Sequence, residues 1–245
     1  MTARTVSAAL SEALRGDVSA PFVTWIGADG SRTELSLRTY ENNIAKAANL
    51  LRDDGDVGPG GFVSVHLPLH WQTAVWLGAT ALVGGTVDLD GDPRRAEVSV
   101  VGPDTLDLPI APLTIASSLH PFGMPFARSQ PLPSGVHDAA DEVRSHGDRF
   151  TPYGDVTPAT PWLSVGGRHW SQSQALEDSL ELAASLGMTH GGRLLVVGTQ
   201  VDARAVLALV ALPLMMLGSV VLLNDASSST DVRTSERCDA VLEIA

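Results

Sequence analysis

Two histidines that lie four residues apart are the side chains of this sequence best suited to acid–base chemistry near neutral pH. His66 and His70 follow a predicted strand, and Pro68 lies between them. An imidazole exchanges its proton close to pH 7 and is a common metal ligand. Proline is unfavourable inside the helix on which an i, i+4 pair of zinc ligands would share a face, so we predict no metal site and no catalytic residue here. Histidines that make ordinary hydrogen bonds are the favoured interpretation.

Three aspartates alternate with other residues further along the chain. Asp88, Asp90 and Asp92 have a spacing compatible with the oxygen ligands of Ca²⁺ or Mg²⁺. Solvated acids at the end of a strand are the more common explanation of such a pattern, and we favour it here.

The elements that would position these side chains are the strands of an open α/β sheet. Ligands of such sheets bind beyond the carboxyl ends of the strands. The loops that follow the predicted strands would therefore line one crevice if the two halves of the chain pack edge to edge. The candidate binding residues in these loops, with their cofactor unknown, are His66, His70, Trp71, Gly166, Gly167, Arg168, Thr199 and Gln200. Neither a serine nucleophile elbow nor a dinucleotide-binding glycine motif accompanies them.

A pattern of helix, turn, strand, helix and strand over residues 36–90 recurs over residues 171–225. Each copy follows a predicted hairpin and ends in a further strand. Apolar residues line one face of the first helix in each copy, and the strands are mostly apolar, as in parallel sheets covered on both faces. We predict an α/β fold of two similar βαβ lobes, with mostly parallel sheets covered by helices. The pattern indicates an internal duplication, and chance similarity between two βαβ units is the alternative.

The predicted domain organisation follows from this repeat. Residues 1–102 form the first α/β lobe, and residues 161–245 form the second, as a pseudo-repeat of the first. Residues 103–160 form a proline-rich connector, with one strand or helix near residues 110–118 and a short helix near residues 136–144. Long stretches of this kind are often functional or mobile. A solvated connector between the lobes is the interpretation we favour.

The composition disfavours several classes of partner. The net charge of −12 argues against a nucleic-acid backbone and against an anionic membrane surface. Lys46 is the only lysine, and it lies in the middle of a predicted helix. Cys238 is the single cysteine, so no disulfide forms within the chain, and we expect no secretory signal at the N-terminus. These features predict a cytoplasmic protein.

One apolar run reaches the length of a membrane span. Residues 205–223 carry no charged side chain. Pro213 and Gly218 interrupt the run, and the first copy has the same layout with Gly84 and Gly85 as its break. We therefore predict a buried helix, a turn and a buried strand, and no membrane span.

Several segments of the two copies carry a family resemblance. The first copy contains Ala-Ala-Asn-Leu-Leu at 47–51, Val-Gly-Pro-Gly-Gly-Phe-Val-Ser-Val-His-Leu-Pro at 57–68 and Val-Asp-Leu-Asp at 87–90. The second contains Pro-Leu-Met-Met-Leu-Gly-Ser-Val-Val-Leu at 213–222. These segments resemble the N-terminal lobes of the acyl-adenylate-forming enzymes, the AMP-binding superfamily that includes acyl-CoA synthetases. The resemblance covers roughly residues 1–102 and 161–225, and it implies the fold of those lobes.

The chain departs from this superfamily where the superfamily binds ATP. There, a Ser/Thr/Gly-rich loop ending in Pro-Lys-Gly cradles the phosphates through backbone N–H groups. The corresponding segment is Leu-Ser-Val-Gly-Gly-Arg at 163–168, without the hydroxyl run and the lysine. A tight hairpin turn explains Gly166 and Gly167 better than a phosphate cradle. The superfamily's C-terminal lid would lie beyond Ala245. ATP, AMP or CoA is implied as a ligand only if the superfamily's binding survives.

Three functional hypotheses follow from the resemblance and the departure. The first is a catalytically incomplete relative, a pseudoenzyme with a ligand-binding or protein-interaction role, whose ligand would be a small acyl or nucleotide compound. The alternative is an acyl-CoA synthetase-like ligase that activates a carboxylic acid with ATP and is completed by another chain. The second alternative is a structural or interaction protein that acts as a homodimer or with a partner protein.

Overall fold

A computed structural model describes residues 4–108 and 110–244 of the chain. Met1–Ala3 of the predicted first lobe, Pro109 of the predicted connector and Ala245 of the predicted second lobe lie outside the described residues. The strands are β1 (Pro21–Ile26), β2 (Arg32–Ser36), β3 (Phe62–His66), β4 (Thr86–Asp88), β5 (Val98–Val101), β6 (Leu113–Ala116), β7 (Val136–Asp138), β8 (Pro161–Val165), β9 (Arg168–Ser171), β10 (Arg193–Val197), β11 (Ser219–Leu223) and β12 (Ala240–Glu243). The α-helices are α1 (Val6–Ala13), α2 (Leu37–Asp53), α3 (Trp71–Val83), α4 (Ala139–Glu142), α5 (Gln172–Ser185), α6 (Ala203–Val206), α7 (Leu212–Met216) and α8 (Ser229–Ser235).

The strands form two sheets in the described part of the chain. Sheet A has the strand order β12-β10-β11-β1-β2, and sheet B has the order β7-β6-β5-β3-β4-β8-β9. Neighbouring strands are parallel except in the hairpins β1–β2 and β8–β9, which are antiparallel. The predicted α/β fold with mostly parallel sheets is therefore confirmed.

The two hairpins are exchanged between the halves of the chain. Strand β1 pairs with β11, with Val23 opposite Val220, and β8 pairs with β4, with Ser164 opposite Asp88. In each sheet one strand, β3 or β10, is flanked by the next two strands of the same half, and the hairpin of the other half is added on one side. The predicted boundaries at residues 102 and 161 separate segments of the sequence. They do not separate the two sheets, because each sheet contains strands from both halves of the chain.

Helix α3 lies at the centre of the hydrophobic core. All of its residues except Gln72 are buried, which is typical of a helix that is apolar on every side. It contacts strands of both sheets, β1 in sheet A and β3 and β4 in sheet B. The side chains of Tyr40 in α2 and Trp162 in β8 donate hydrogen bonds to its backbone, to the carbonyl oxygens of Ala74 (3.1 Å) and Leu77 (3.2 Å). The halves of the chain thus share one core around this helix.

Side-chain hydrogen bonds cap the first turns of α2 and α5, and the predicted buried helix, turn and strand at 205–223 are present. The hydroxyl of Ser36 accepts from the N–H of Thr39 at the start of α2. Ser171 and Gln174 form a capping box at the start of α5. The apolar run 205–223 is helical through α6, a π-helical segment (Leu207–Ala211) and α7, and then becomes strand β11. Among the described residues, no helix has both the length and the hydropathy to span a membrane.

The region between the two copies is more structured than a solvated connector. Strands β6 and β7 extend sheet B beyond β5, and Ile115 in β6 is buried. The helix predicted near residues 136–144 is shorter, because β7 takes its first residues and only α4 and one 3₁₀ turn follow. Helix α8, between β11 and β12, was not predicted. Its polar sequence has no apolar period and no buried residue, so the pattern on which helix prediction depends is missing.

Candidate functional site

The carboxyl ends of three neighbouring parallel strands bring predicted candidates to one edge of sheet B. His66 ends β3, Asp88 ends β4, and the turn Gly166-Gly167 follows β8. The N–H of Gly166 donates a hydrogen bond to the Asp90 carboxylate at 2.7 Å. Because β4 lies between β3 and β8, the turn lies beside the 88–90 segment and not beside the 66–71 loop.

His66 is half-buried at this edge and is held by neighbours within the sheet. The hydroxyl of Ser64, two residues earlier on the same face of β3, shares a hydrogen bond with its Nε2. Burial lowers the pKa of His66, and the negative charge of Asp88 opposes that shift. The side chain of Ser64 is only 1% exposed, so it is not accessible as a nucleophile. Ser64 and His66 are thus joined by a hydrogen bond, and Asp88 acts on His66 through its charge.

Each of the three alternating aspartates has its own partner. Asp88 accepts a hydrogen bond from the N–H of Gly91 (3.0 Å), and Asp90 accepts one from Gly166. Asp92 pairs with the guanidinium of Arg94 at 2.7 Å. Within residues 4–108 and 110–244, no group of three or more His, Cys, Asp or Glu side chains converges as a metal site would require. The carboxylates therefore stabilise the loop after β4.

The segment at 163–168, which the sequence resemblance placed at the superfamily's phosphate loop, contains a two-residue hairpin turn. Gly166 and Gly167 have φ values of +58° and +76°, the conformation that a tight antiparallel hairpin requires and that glycine adopts at low cost. The guanidinium of Arg168 lies 4.2 Å from the centre of the Trp170 ring and 3.3 Å from the carboxylate of Asp178. The only cationic side chain of this segment is thus engaged within its own hairpin and with α5.

The loops at the carboxyl ends of strands in the two sheets meet at the loop that follows β3. The N–H of Leu69 donates to the carbonyl oxygen of Thr199 (3.1 Å), and the side chain of Asn224 donates to the carbonyl oxygen of Leu69 (3.0 Å). Asn224 also accepts from the indole N–H of Trp25 at 2.8 Å. The loops after β3 and β10 therefore meet, and the side chain of Gln200 is exposed. Asn224 follows β11, so the strand-end rule that selected Thr199 would also have selected it.

His70 lies inside this junction. It is 2% exposed, and its ring centre is 4.4 Å from that of Trp25. Its Nδ1 accepts from the N–H of Gln72 (3.1 Å) and caps α3, and its Nε2 has no hydrogen-bond partner among the described residues. Burial lowers the pKa of His70 to about 3. The side chain is therefore neutral near pH 7 and positions the start of α3.

A cavity of about 200 Å³ opens beside the next residue, Trp71. Its walls come from α2, α3, the loop at 117–123 and the segment at 139–144. Trp71 lines it, whereas the other seven predicted candidates do not. Sequence reasoning missed it because its walls come from segments that are distant in the sequence and include the proline-rich region.

One relative is close enough in sequence to define a family. It is a "TIGR03089 family protein" from Mycobacterium tuberculosis (strain ATCC 25618 / H37Rv), 38% identical over 204 residues, which are 79% of this chain and 79% of the relative. The chain belongs to the TIGR03089 family. A scan against family models found no match.

Solved structures share the fold of this TIGR03089 family member at low sequence identity. An acyl-CoA synthetase from Brucella canis matches 96% of the chain with a TM-score of 0.76 at 15% identity, over 47% of its own length. A putative long-chain-fatty-acid CoA ligase from Rhodopseudomonas palustris CGA009 matches 98% with a TM-score of 0.74 at 16% identity, over 63% of its length. Acetoacetyl-CoA synthetase from Streptomyces lividans matches 95% with a TM-score of 0.73 at 19% identity, over 40% of its length. The predicted resemblance in fold to the acyl-adenylate-forming superfamily is confirmed, and the chain spans about half the length of these structures.

Proposed function

We propose that this TIGR03089 family member is a catalytically incomplete relative of the acyl-adenylate-forming enzymes that acts by binding a ligand or a partner protein. The observation that carries the proposal is the hydrogen bond from the N–H of Gly166 to the Asp90 carboxylate. By the sequence resemblance, this segment takes the position of the superfamily's phosphate loop. The single cysteine, the acidic composition and the repeated element order support a cytoplasmic protein that arose by internal duplication.

Phosphate binding by a loop needs free N–H groups that converge on an anion and a positive local potential. The turn at Gly166-Gly167 is too short to provide a cradle, and the N–H of Gly166 is already bound to a carboxylate. The charge of Asp90 would repel a triphosphate. Arg168 is engaged with Trp170 and Asp178, and Lys46 lines a cavity that includes no residue of this turn. The local chemistry therefore opposes ATP binding at this place.

Pyrophosphate exchange tests the proposal directly. The pure chain is incubated with ATP, Mg²⁺, labelled pyrophosphate and a panel of carboxylic acids, next to an acyl-CoA synthetase as positive control. We expect no acid-dependent exchange by the chain, and no thermal stabilisation by ATP or AMP. Acid-dependent exchange by the pure chain would overturn the proposal.

A second candidate function is an acyl-CoA synthetase-like ligase that a second polypeptide completes. The observation in its favour is that the matched structures, an acyl-CoA synthetase and a CoA ligase among them, are about twice as long as the part that this chain covers. Exchange that is absent with the pure chain but develops when a second polypeptide is supplied would favour this candidate.

A further inference from the structure

The cavity beside Trp71 has an apolar wall made of aromatic rings. Trp71 and Trp76 both line it, and both are almost completely buried. The indole N–H of Trp71 donates to the carbonyl oxygen of Pro121 (3.1 Å), and that of Trp76 donates to the hydroxyl of Ser117 (2.9 Å). Because both polar atoms are satisfied by the protein, the rings present carbon atoms to the cavity. Such surfaces bind flat apolar groups.

The rim of the cavity carries a further aromatic side chain. Phe122 is 77% exposed, although large apolar residues are usually buried. It lies in the loop that Trp71 holds through Pro121, and it lines the cavity. Gly123 follows with a φ of +61°, and a Cβ atom at this position would lie 3.2 Å from the Trp71 ring. The loop is therefore packed closely against the wall, with the Phe122 ring at the opening.

The other wall is cationic in a strongly acidic protein. Lys46 lines the cavity from α2 and is half-buried, yet within the described ranges its ammonium group has neither a hydrogen bond nor an ion pair. Arg144 adds a second cation, which lies 3.8 Å from Asp141 at the exposed surface. Gln72 accepts from the N–H of Leu119 through Oε1, so its amide N–H groups are available. The whole chain has a net charge of −12. The unpaired cation therefore gives this cavity a distinctive local electrostatic potential.

We propose that this cavity binds a small organic anion with a flat apolar body. The charged group of the ligand pairs with Lys46, and its apolar body lies against Trp71 and Trp76. An anionic group would give this ammonium group the charge-assisted hydrogen bond that it lacks within the described residues. The site contains no residue of the 88–92 or 163–170 segments, so it does not depend on nucleotide binding. The inference goes beyond the proposed function and stands whether or not adenylate chemistry occurs.

Two fluorescent probes with related aromatic bodies test the charge and the apolar wall separately. Anilinonaphthalene sulfonate is an anion, and phenylnaphthylamine is its neutral counterpart. We expect saturable binding of both by the full folded chain, with one site per chain. Lys46→Met keeps an unbranched side chain one atom shorter and removes its charge, so it should weaken sulfonate binding by roughly tenfold and leave the neutral probe unchanged. Lys46→Arg should retain the sulfonate affinity.

The control on the same helix is Arg38→Met, because Arg38 is an exposed cation of α2 that pairs with Glu41 outside the cavity. It should change neither affinity. Ala140 lines the cavity, and Ala140→Trp should fill it and reduce the binding of both probes. The proposal is overturned if Lys46→Met, with an unchanged unfolding midpoint, binds the sulfonate as tightly as the unaltered chain. It is also overturned if Ala140→Trp folds and leaves both affinities intact.

Discussion

At the scale of single residues, the environments of His66 and His70 differ more than their positions in the sequence suggest. His66 remains half-exposed at the edge of sheet B, with Ser64 and Asp88 as neighbours. His70 is enclosed between the two sheets, beside the rings of Trp25 and Trp71. Burial penalises the charged imidazolium at both positions, and most strongly at His70.

The buried neutral state of His70 predicts that the protein loses stability in mild acid. Its folded pKa, about 3, is below the ordinary value of 6.5. Between these values the unfolded chain binds a proton that the folded chain does not, so stability is fully present above pH 6.5 and falls as the pH is lowered toward 3. The slope from this residue is at most about 1.4 kcal/mol per pH unit.

Urea unfolding at a series of pH values measures this slope. His70→Asn keeps an acceptor for the N–H of Gln72 and removes the titrating ring, so its stability should fall less steeply between pH 6.5 and pH 4. His169→Asn, at an exposed histidine, should leave the pH dependence unchanged. Equal slopes for His70→Asn and the unaltered chain would show that burial of this ring is not a source of acid sensitivity.

The sequence predicted which loops meet, but not which side chains would face solvent there. The strand-end rule placed His70 and Thr199 at one junction, and the N–H of Leu69 does bind Thr199. Whether that junction is open depends on packing by Trp25 and Asn224, which approach from strands distant in the sequence. The cationic cavity was missed for the same reason, since Lys46 and Arg144 lie on separate elements.

At the scale of elements, the contact between α2 and α3 depends on one glycine. A Cβ atom on Gly78 would overlap the hydroxyl of Tyr40 and lie 3.1 Å from a methyl carbon of Ile44. Tyr40 is fully buried and donates to the carbonyl oxygen of Ala74, so its ring has little freedom to move. Glycine is intrinsically unfavourable in a helix, by roughly 1 kcal/mol relative to alanine. Close packing of the helices offsets that cost.

Gly78→Ala should therefore destabilise the protein in spite of its higher helix propensity. Overpacking of a tight core typically costs about 1–3 kcal/mol, which exceeds the propensity gain. Gly58→Ala is the matched control, because no heavy atom lies within 4 Å of its added Cβ, and it should change stability little. Denaturant unfolding of both variants measures the difference. A Gly78→Ala protein as stable as the unaltered chain would show that α2 and α3 can separate at no cost.

The element order followed from local patterns, whereas the pairing of strands did not. Local patterns predicted two helices within residues 36–90, which are α2 and α3, and the glycine pair 166–167 predicted the turn of the second hairpin. Nothing local in the β1 sequence specifies that it pairs with β11, because any apolar strand offers the same backbone groups. The pairing joins elements far apart in the sequence, such as Val23 of β1 and Val220 of β11, so local patterns do not determine it.

At the scale of the whole molecule, the exchanged hairpins make each half of the chain part of the other's sheet. Strands β1 and β2 extend sheet A, whose other strands come from residues 193–243, and β8 and β9 extend sheet B next to β4. Further bonds cross between the halves, from the N–H of Val6 to the side chain of Gln172 (2.8 Å) and from that side chain to the carbonyl oxygen of Ala81 (2.7 Å). The buried amide of Gln172 thus bridges α1, α3 and α5.

Separated halves should therefore fail to fold alone and should fold when combined. Neither residues 1–160 nor residues 161–245 include all strands of either sheet, so each alone would leave the edge of β4 or β11 unpaired and the core around α3 incomplete. We expect cooperative thermal unfolding, followed by circular dichroism, only for the equimolar mixture.

Gln172→Ala in the second fragment should weaken association, because it leaves the buried N–H of Val6 without an acceptor, while Gln174→Ala at the exposed cap should weaken it less. Cooperative unfolding of residues 1–160 alone would instead mean that the first half carries a self-sufficient core, and that the hairpin of the second half adds to it only after it has folded.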